Sequence, residues 1–211
     1  MALFVWFVVS VSLLPACLAS SSTTIYVSPT GSNSNPGTQS APVATIGYAY
    51  GLLTNTNPTA VNVIQLGSGL YDFDSNAFTL NAMNAQFIGG NDVVLSCDEH
   101  TPFITFNANP IQQNWYTTVF QDLTFTMCGG RAIDVTVQAT NEAAGMGFQF
   151  SNVDILSSPL NFDCLGTATA SCSISMEGCL LQSSPQFFVS QTAGLSVSGA
   201  SSVNIDSTTF Q

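Results

Sequence analysis

Four short stretches of this chain repeat one apolar pattern, and that repetition narrows the folds open to it. They are Thr118-Val119-Phe120-Gln121-Asp122-Leu123-Thr124-Phe125, Phe148-Gln149-Phe150-Ser151-Asn152-Val153-Asp154-Ile155, Ile174-Ser175-Met176-Glu177-Gly178-Cys179-Leu180-Leu181 and Val203-Asn204-Ile205-Asp206-Ser207-Thr208-Thr209-Phe210. With Phe120, Phe150, Met176 and Ile205 as position 0, apolar residues fall at −2, 0, +3 and +5, and Thr118 and Thr208 are the polar exceptions. Period two on each side of a one-residue slip predicts two short strands that face one interior and meet at a tight bend. The bend falls at +1 and +2, where Asp122, Asn152 and Gly178 suit a residue in the left-handed region. The units recur 30, 26 and 29 residues apart, so a loop of variable length separates them.

A repeat of roughly 20 to 50 residues that cannot bury its own apolar face is the mark of a solenoid. With strands and no helical period, the parallel β-helix is the member that fits. An antiparallel sandwich would need Asn-Gly or Asp-Gly hairpin turns every 8 to 12 residues or so. Neither dipeptide occurs in the chain.

Residues 1–19 open with an apolar run of about a dozen residues, too short to cross a hydrocarbon core of about 30 Å, and close on Pro15 and small residues. This reads as a secretory signal peptide cleaved after Ala19, although no basic residue precedes the apolar run. Leu14-Pro15-Ala16-Cys17, which looks like a bacterial lipoprotein cleavage box, and an uncleaved anchor are the alternatives. The expected product is secreted or held at the cell surface, with no transmembrane span in the mature chain.

Charge excludes several functions. One Arg, no Lys and one His stand against twelve acids, for a formal net charge of −11. Such a chain has nothing with which to neutralise phosphates, which excludes nucleic acid as a partner and disfavours anionic membranes. A hydrophobic content of 45% argues against disorder, because a core can be built. No Asn-x-Ser/Thr sequon is present, so N-glycosylation is not expected.

Cys97, Cys128, Cys164, Cys172 and Cys179 lie beyond the leader. In an exported chain they predict two disulfides and one thiol. Cys164 and Cys172 flank a short loop and are the first candidate pair; Cys97 and Cys128 are the second. Cys179, at the inward +3 position beside Leu123, Val153 and Thr208, is expected to be a buried free thiol that fills space. No Cys-x-x-Cys spacing supports a zinc site.

The mature chain begins with a strand near Ile25 and a loop rich in Gly, Pro, Ser and Asn. Thr45 can then cap a short helix whose Ile46, Ala49, Tyr50 and Leu53 share one face. Lying across the end of a coil stack, this helix would hide an unpaired strand edge. A strand over Val61 to Leu66 follows, broken at Gly67-Ser68-Gly69 and resumed at Leu70-Tyr71. The succession Tyr26-Val27-Ser28-Pro29-Thr30-Gly31, Asn35-Pro36-Gly37-Thr38, Pro42, Thr45-Ile46, Ile64-Gln65-Leu66 and Gly69-Leu70-Tyr71 resembles the opening of secreted right-handed parallel β-helix proteins of the pectin-lyase-like superfamily. The Phe-x-Asp/Asn repeats and Gly129-Gly130-Arg131-Ala132-Ile133 also resemble repeats of polymorphic surface proteins. The likeness covers nearly the whole mature chain and implies an all-β, right-handed parallel β-helix of about five coils. That superfamily includes lyases, hydrolases, epimerases, adhesins and proteins without known activity, so the likeness implies a fold and no single activity.

Candidate chemistry is thin. A lyase that abstracts a proton beside a uronate carboxylate needs a cation and a basic residue. Only Arg131 offers one, in a sequence that reads equally as a bend. The stretches that mark β-helix polysaccharide hydrolases, Asn-Thr-Asp, Asp-Asp, Gly-His-Gly and Arg-Ile-Lys, are missing. Asp122 and Asp154 lie on successive units, and strand geometry places them roughly 8 Å apart, within the range for inverting glycoside hydrolysis. Against this, Asp122 shares its column with Asn152 and suits the bend. Glu177 and Asp206 share position +1 on adjacent units, with backbones about 4.8 Å apart. They either splay into water, share a proton or hold Ca²⁺, the single cofactor candidate. Asp72, Asp74, Asp98 and Glu99 are weaker acids of the same kind, and His100 has no second His to form a metal pair. Tyr71, Trp115 and Tyr116 are candidates for stacking on sugar rings, or else anchors for the core.

The chain is therefore read as a leader (1–19), an N-terminal strand, loop and capping helix (20–60) and β-helix coils (61–211). Because the last unit ends at Phe210 and Gln211 with no cap, an incomplete C-terminus is expected. The expected role is interaction, adhesion or the binding of a neutral polysaccharide or surface protein, with no cofactor beyond the calcium candidate. The alternative is a carbohydrate-active enzyme, a lyase or hydrolase, whose catalytic coils are degenerate or lie outside this chain.

Overall fold

The computed structural model describes residues 22–53, 60–72, 76, 78–80, 84–90, 92–96, 104–108, 115–126, 132–139, 145–158, 160–166, 171–182, 195–198 and 202–211. The leader, Cys97, Asp98, Glu99, His100, Cys128, Arg131 and Asp74 lie outside them. The described residues are mostly strand, with a single helix among them.

The repeat units form as expected. The first two are long strands, β8 (Trp115–Thr126) and β10 (Gly145–Leu156); the other two are strand pairs, β12 (Ser171–Glu177) with β13 (Leu180–Gln182) and β15 (Ser202–Asp206) with β16 (Thr209–Phe210). At +2 every unit turns through the left-handed region: φ is 55° at Asp122, 52° at Asn152, 63° at Gly178 and 48° at Ser207. For Ser207 this conformation costs about 1 kcal/mol that Gly178 avoids.

Parallel pairing brings Phe120 opposite Phe150, Phe150 opposite Met176 and Met176 opposite Ile205. The column also runs back beyond Phe120. β1 (Thr23–Val27), β2 (Asn62–Leu66) and β5 (Ala85–Ile88) add Ile25, Ile64 and Phe87. β3 (Gly69–Asp72) and β6 (Val93–Ser96) extend the +5 column, with Tyr71 opposite Leu95 and Leu95 opposite Phe125. Together these strands make an 11-stranded sheet.

A second sheet was not foreseen. It holds β4 (Phe78–Leu80), β7 (Ile104–Ala108), β9 (Ile133–Ala139), β11 (Leu160–Gly166) and β14 (Leu195–Ser198), again in parallel register. The chain passes back and forth: β8 lies in the larger sheet, β9 in the smaller, β10 in the larger, β11 in the smaller. This alternation of parallel sheets fits a β-helix and is incompatible with the antiparallel sandwich, whose neighbouring strands run in opposite directions.

The core lies between the sheets. Phe148 of β10 meets Phe162 of β11 with ring centroids 5.2 Å apart, and Phe78 of β4 meets Phe87 of β5 at 5.5 Å. Along the column, Phe87, Phe120 and Phe150 stack at 5.2 Å per step with interplanar angles of 16° and 18°. Such offset stacks contribute about 0.5–1.5 kcal/mol per pair beyond burial. Thr118 faces the same interior, fully buried, and its Oγ1 has no hydrogen-bond partner.

Helix α1 (Ile46–Leu52) begins as the sequence predicts, with Thr45 Oγ1 accepting from Tyr48 N at 3.3 Å. Asn76 Oδ1 accepts from Ile46 N at 3.0 Å, so a second N-terminal donor is satisfied. The helix buries Ile46 and Ala49 and packs against β1, β2 and β4. It does not itself cover the outer edge of β1. That edge is covered by residues 37–43: Tyr26 N donates to Gly37 O, Ser28 N to Val43 O, and Val43 N to Tyr26 O.

Candidate functional site

Asp122, Asp154, Glu177 and Asp206, singled out from the sequence, lie along the bend and outer face of the larger sheet. Asp122 sits in the bend of β8, level with Asn152 of β10, because Gln121 pairs with Ser151 and Leu123 with Val153. Its carboxylate accepts from Gln121 Nε2 at 3.0 Å and from Asn152 Nδ2 at 3.2 Å. Two amides on one half-buried carboxylate fix the bend, a structural task. Asp154 stands opposite Thr124 on β8 and Leu180 on β13, half-buried on the outward side. The two aspartates are therefore on adjacent strands, and the contacts that Asp122 makes are with amides.

Glu177 and Asp206 are directly opposed in the parallel ladder and both are exposed. Asp206 also accepts from Ser207 Oγ at 3.2 Å. Among the described residues no three His, Cys, Asp or Glu side chains gather as metal ligands. Asp72 is exposed at the end of β3.

Cys179 is buried and free, and its thiol donates to Glu177 O at 3.5 Å. Burial, reinforced by the negative charges of Asp154 and Glu177, pushes this thiol up from its ordinary value. It is a filler of the +3 column. Cys164 lies on β11 in the smaller sheet and Cys172 on β12 in the larger, their side chains outside the described set; Cys97 and Cys128 lie outside it altogether.

Of the two readings open for Tyr71, the structure takes the core anchor. Tyr71 is fully buried, and its hydroxyl donates to Gly67 O at 2.8 Å and Val27 O at 3.2 Å. Its ring offers no face to a sugar. The inward +5 position accounts for this, since Leu95, Phe125 and Ile155 share its column. Tyr116 is half-buried against the core at the start of β8, and Trp115 precedes it with its side chain outside the described set.

No family model matches this chain, and no curated protein does. A solved structure of a rhamnogalacturonan lyase matches at 10% sequence identity and a TM-score of 0.36, over 87% of this chain. This chain spans 62% of that lyase's length.

The chemistry open to the described residues follows from their composition. They contain no Arg, Lys or His, so among them nothing is cationic enough to neutralise a substrate carboxylate. Beside those acids, their outward faces offer hydroxyl and amide. Thr24, Gln65, Gln86, Gln121, Gln149 and Ser175 are examples on the larger sheet. The outward phase of these glutamines was legible in the sequence from the same period of two.

Proposed function

We propose that this protein is a secreted or surface-held right-handed parallel β-helix of about five coils that binds a neutral glycan and does not cleave it. The observation that carries this reading is the parallel register itself. It sets uncharged side chains, hydrogen-bonding ones interleaved with aliphatic ones, in columns with one residue every 4.8 Å or so, a spacing that an extended polymer can follow. The hand rests on the general rule that parallel crossovers are right-handed. Residues 1–19 serve as the export signal in this reading, residues 20–60 as the closed end, and the calcium candidate at Glu177 and Asp206 plays no part.

The test is a glycan array with the purified protein, covering neutral and uronate-containing glycans, followed by reducing-sugar and unsaturated-product assays on every hit. Retention on neutral glycans without product supports the reading. Product release from any hit contradicts it and moves the protein to the carbohydrate-active enzymes.

A further inference from the structure

Resting on that reading, we infer that one particular strip, the outward side of β1, β2, β5, β8 and β10 ahead of the bend, is the platform on which an extended neutral polysaccharide lies, running across the strands. Two outward columns form it. In one, Gln86 is opposite Val119 and Val119 opposite Gln149; in the other, Tyr26 is opposite Gln65 and Gln65 opposite Ile88.

Charge marks the boundaries of this face. The chain carries −11, yet every outward residue of these two columns in β1, β2, β5, β8 and β10 is uncharged. The next two strands break the rule, with Glu177 on β12 and Asp206 on β15. An uncharged area on an acidic molecule suits an uncharged partner. A second copy of this chain would meet the repulsion of two large negative charges.

Hydrogen-bonding capacity singles out two of the glutamines. Gln65 Nε2 donates to Ile88 O at 3.2 Å and Gln121 Nε2 to Asp122, so these amides are committed within the protein. Gln86 and Gln149 have no such partner among the described residues, and Gln149 is exposed. A side-chain amide donates and accepts at once, which matches a sugar hydroxyl in either role. Between these glutamines, two strand spacings or about 10 Å apart, Val119 presents aliphatic surface. With Ile88 and the ring of Tyr26 it can lie against the C–H face of pyranose rings. The platform is therefore amphipathic in the same sense as the sugar.

The experiment is native affinity electrophoresis in gels cast with a soluble mixed-linkage β-glucan or a galactomannan, with polygalacturonate as the anionic control. Wild-type protein should be retarded by a neutral polymer and not by polygalacturonate. The double variant Gln86→Ala/Gln149→Ala should weaken binding about tenfold, the effect of losing two hydrogen bonds. Val119→Glu, which puts a carboxylate mid-platform, should abolish retardation. Thr136→Glu, an outward change of equal charge on the smaller sheet, should bind within about twofold of wild type. Melting curves show that each variant folds. If wild type binds a neutral polymer and both platform variants bind equally well, the platform is wrong and the glycan reading survives. If no neutral polymer retards wild type, both fall. If light scattering shows a wild-type dimer that Val119→Glu turns into monomer, the face is a self-association surface and the proposal is overturned.

Discussion

The side-chain amide of Asn152 donates to the carboxylate of Asp122 on the neighbouring strand at 3.2 Å, and both residues hold a positive φ, 52° and 55°. One short bend thus carries two kinds of information: a backbone conformation that few residues tolerate, and a polar link from one winding to the next. Asn152→Ala loses both, at about 1–2 kcal/mol for the left-handed alanine and about 1 kcal/mol for the hydrogen bond. Asn152→Gly loses only the second. Urea unfolding should rank stability as wild type, then Asn152→Gly, then Asn152→Ala, a reversal of the usual order for a strand, where Gly is the worse residue.

Gly178 continues that column. A Cβ built on it would stand 2.8 Å from Asn152 Oδ1, on a backbone with φ of 63°. Gly178→Ala should therefore destabilise by about 2 kcal/mol in the wild-type background. In an Asn152→Gly background part of that penalty should vanish, and a double-mutant cycle of unfolding free energies measures the coupling.

Tyr71 links three pieces of chain through one hydroxyl, its own strand, the Gly67 bend and Val27 at the end of β1. Burial is the main cause that raises its phenol well above the ordinary value of 10.0. The folded state holds this proton more tightly than the unfolded chain does. Its contribution to stability is therefore complete below about pH 10 and declines as pH climbs above that. Tyr71→Phe should lose about 1–2 kcal/mol at neutral pH and flatten the fall in melting temperature above pH 10.

Phe120 stands in the middle of the aromatic column, fully buried between Phe87 and Phe150. Phe120→Ala should cost about 3–5 kcal/mol, since two stacking partners and the edge contact to Phe125 at 6.3 Å are lost together. Phe120→Leu should cost clearly less, because the column keeps most of its volume. Chemical denaturation of the two variants separates them.

Much of this was legible in the residues. The positions −2, 0, +3 and +5 and the left-handed residue at +2 follow from the alternation of apolar side chains and from Asp122, Asn152 and Gly178, and the structure places them so. The smaller sheet was missed although Ile133-Asp134-Val135-Thr136-Val137 and Leu160-Asn161-Phe162-Asp163-Cys164 alternate just as clearly. No bend of fixed length ties those strands to the repeat, so a search for a fixed spacing passes over them. The early members of the column, Ile64 and Phe87, escaped for the same reason: Phe87 reaches Val93 through a longer bend at Gly89 and Gly90. Tyr71 stayed open between sugar and core because an aromatic ring reads alike in either place; its position in the +5 column decides for the core.

The distance between Val63 on β2 and Ser175 on β12 tests the stack most directly, because Gln86, Val119 and Gln149 fill the three intervening places in one column. Four strand spacings separate them, roughly 19 Å. Spin labels attached through keto amino acids at these two outward positions, which leave the native cysteines untouched, report that distance by pulsed paramagnetic resonance. A single population near 19 Å, allowing a few ångströms for the labels, is the predicted result. A main population beyond about 30 Å, or one close to a single strand spacing, would contradict the register and remove the basis for the glycan platform.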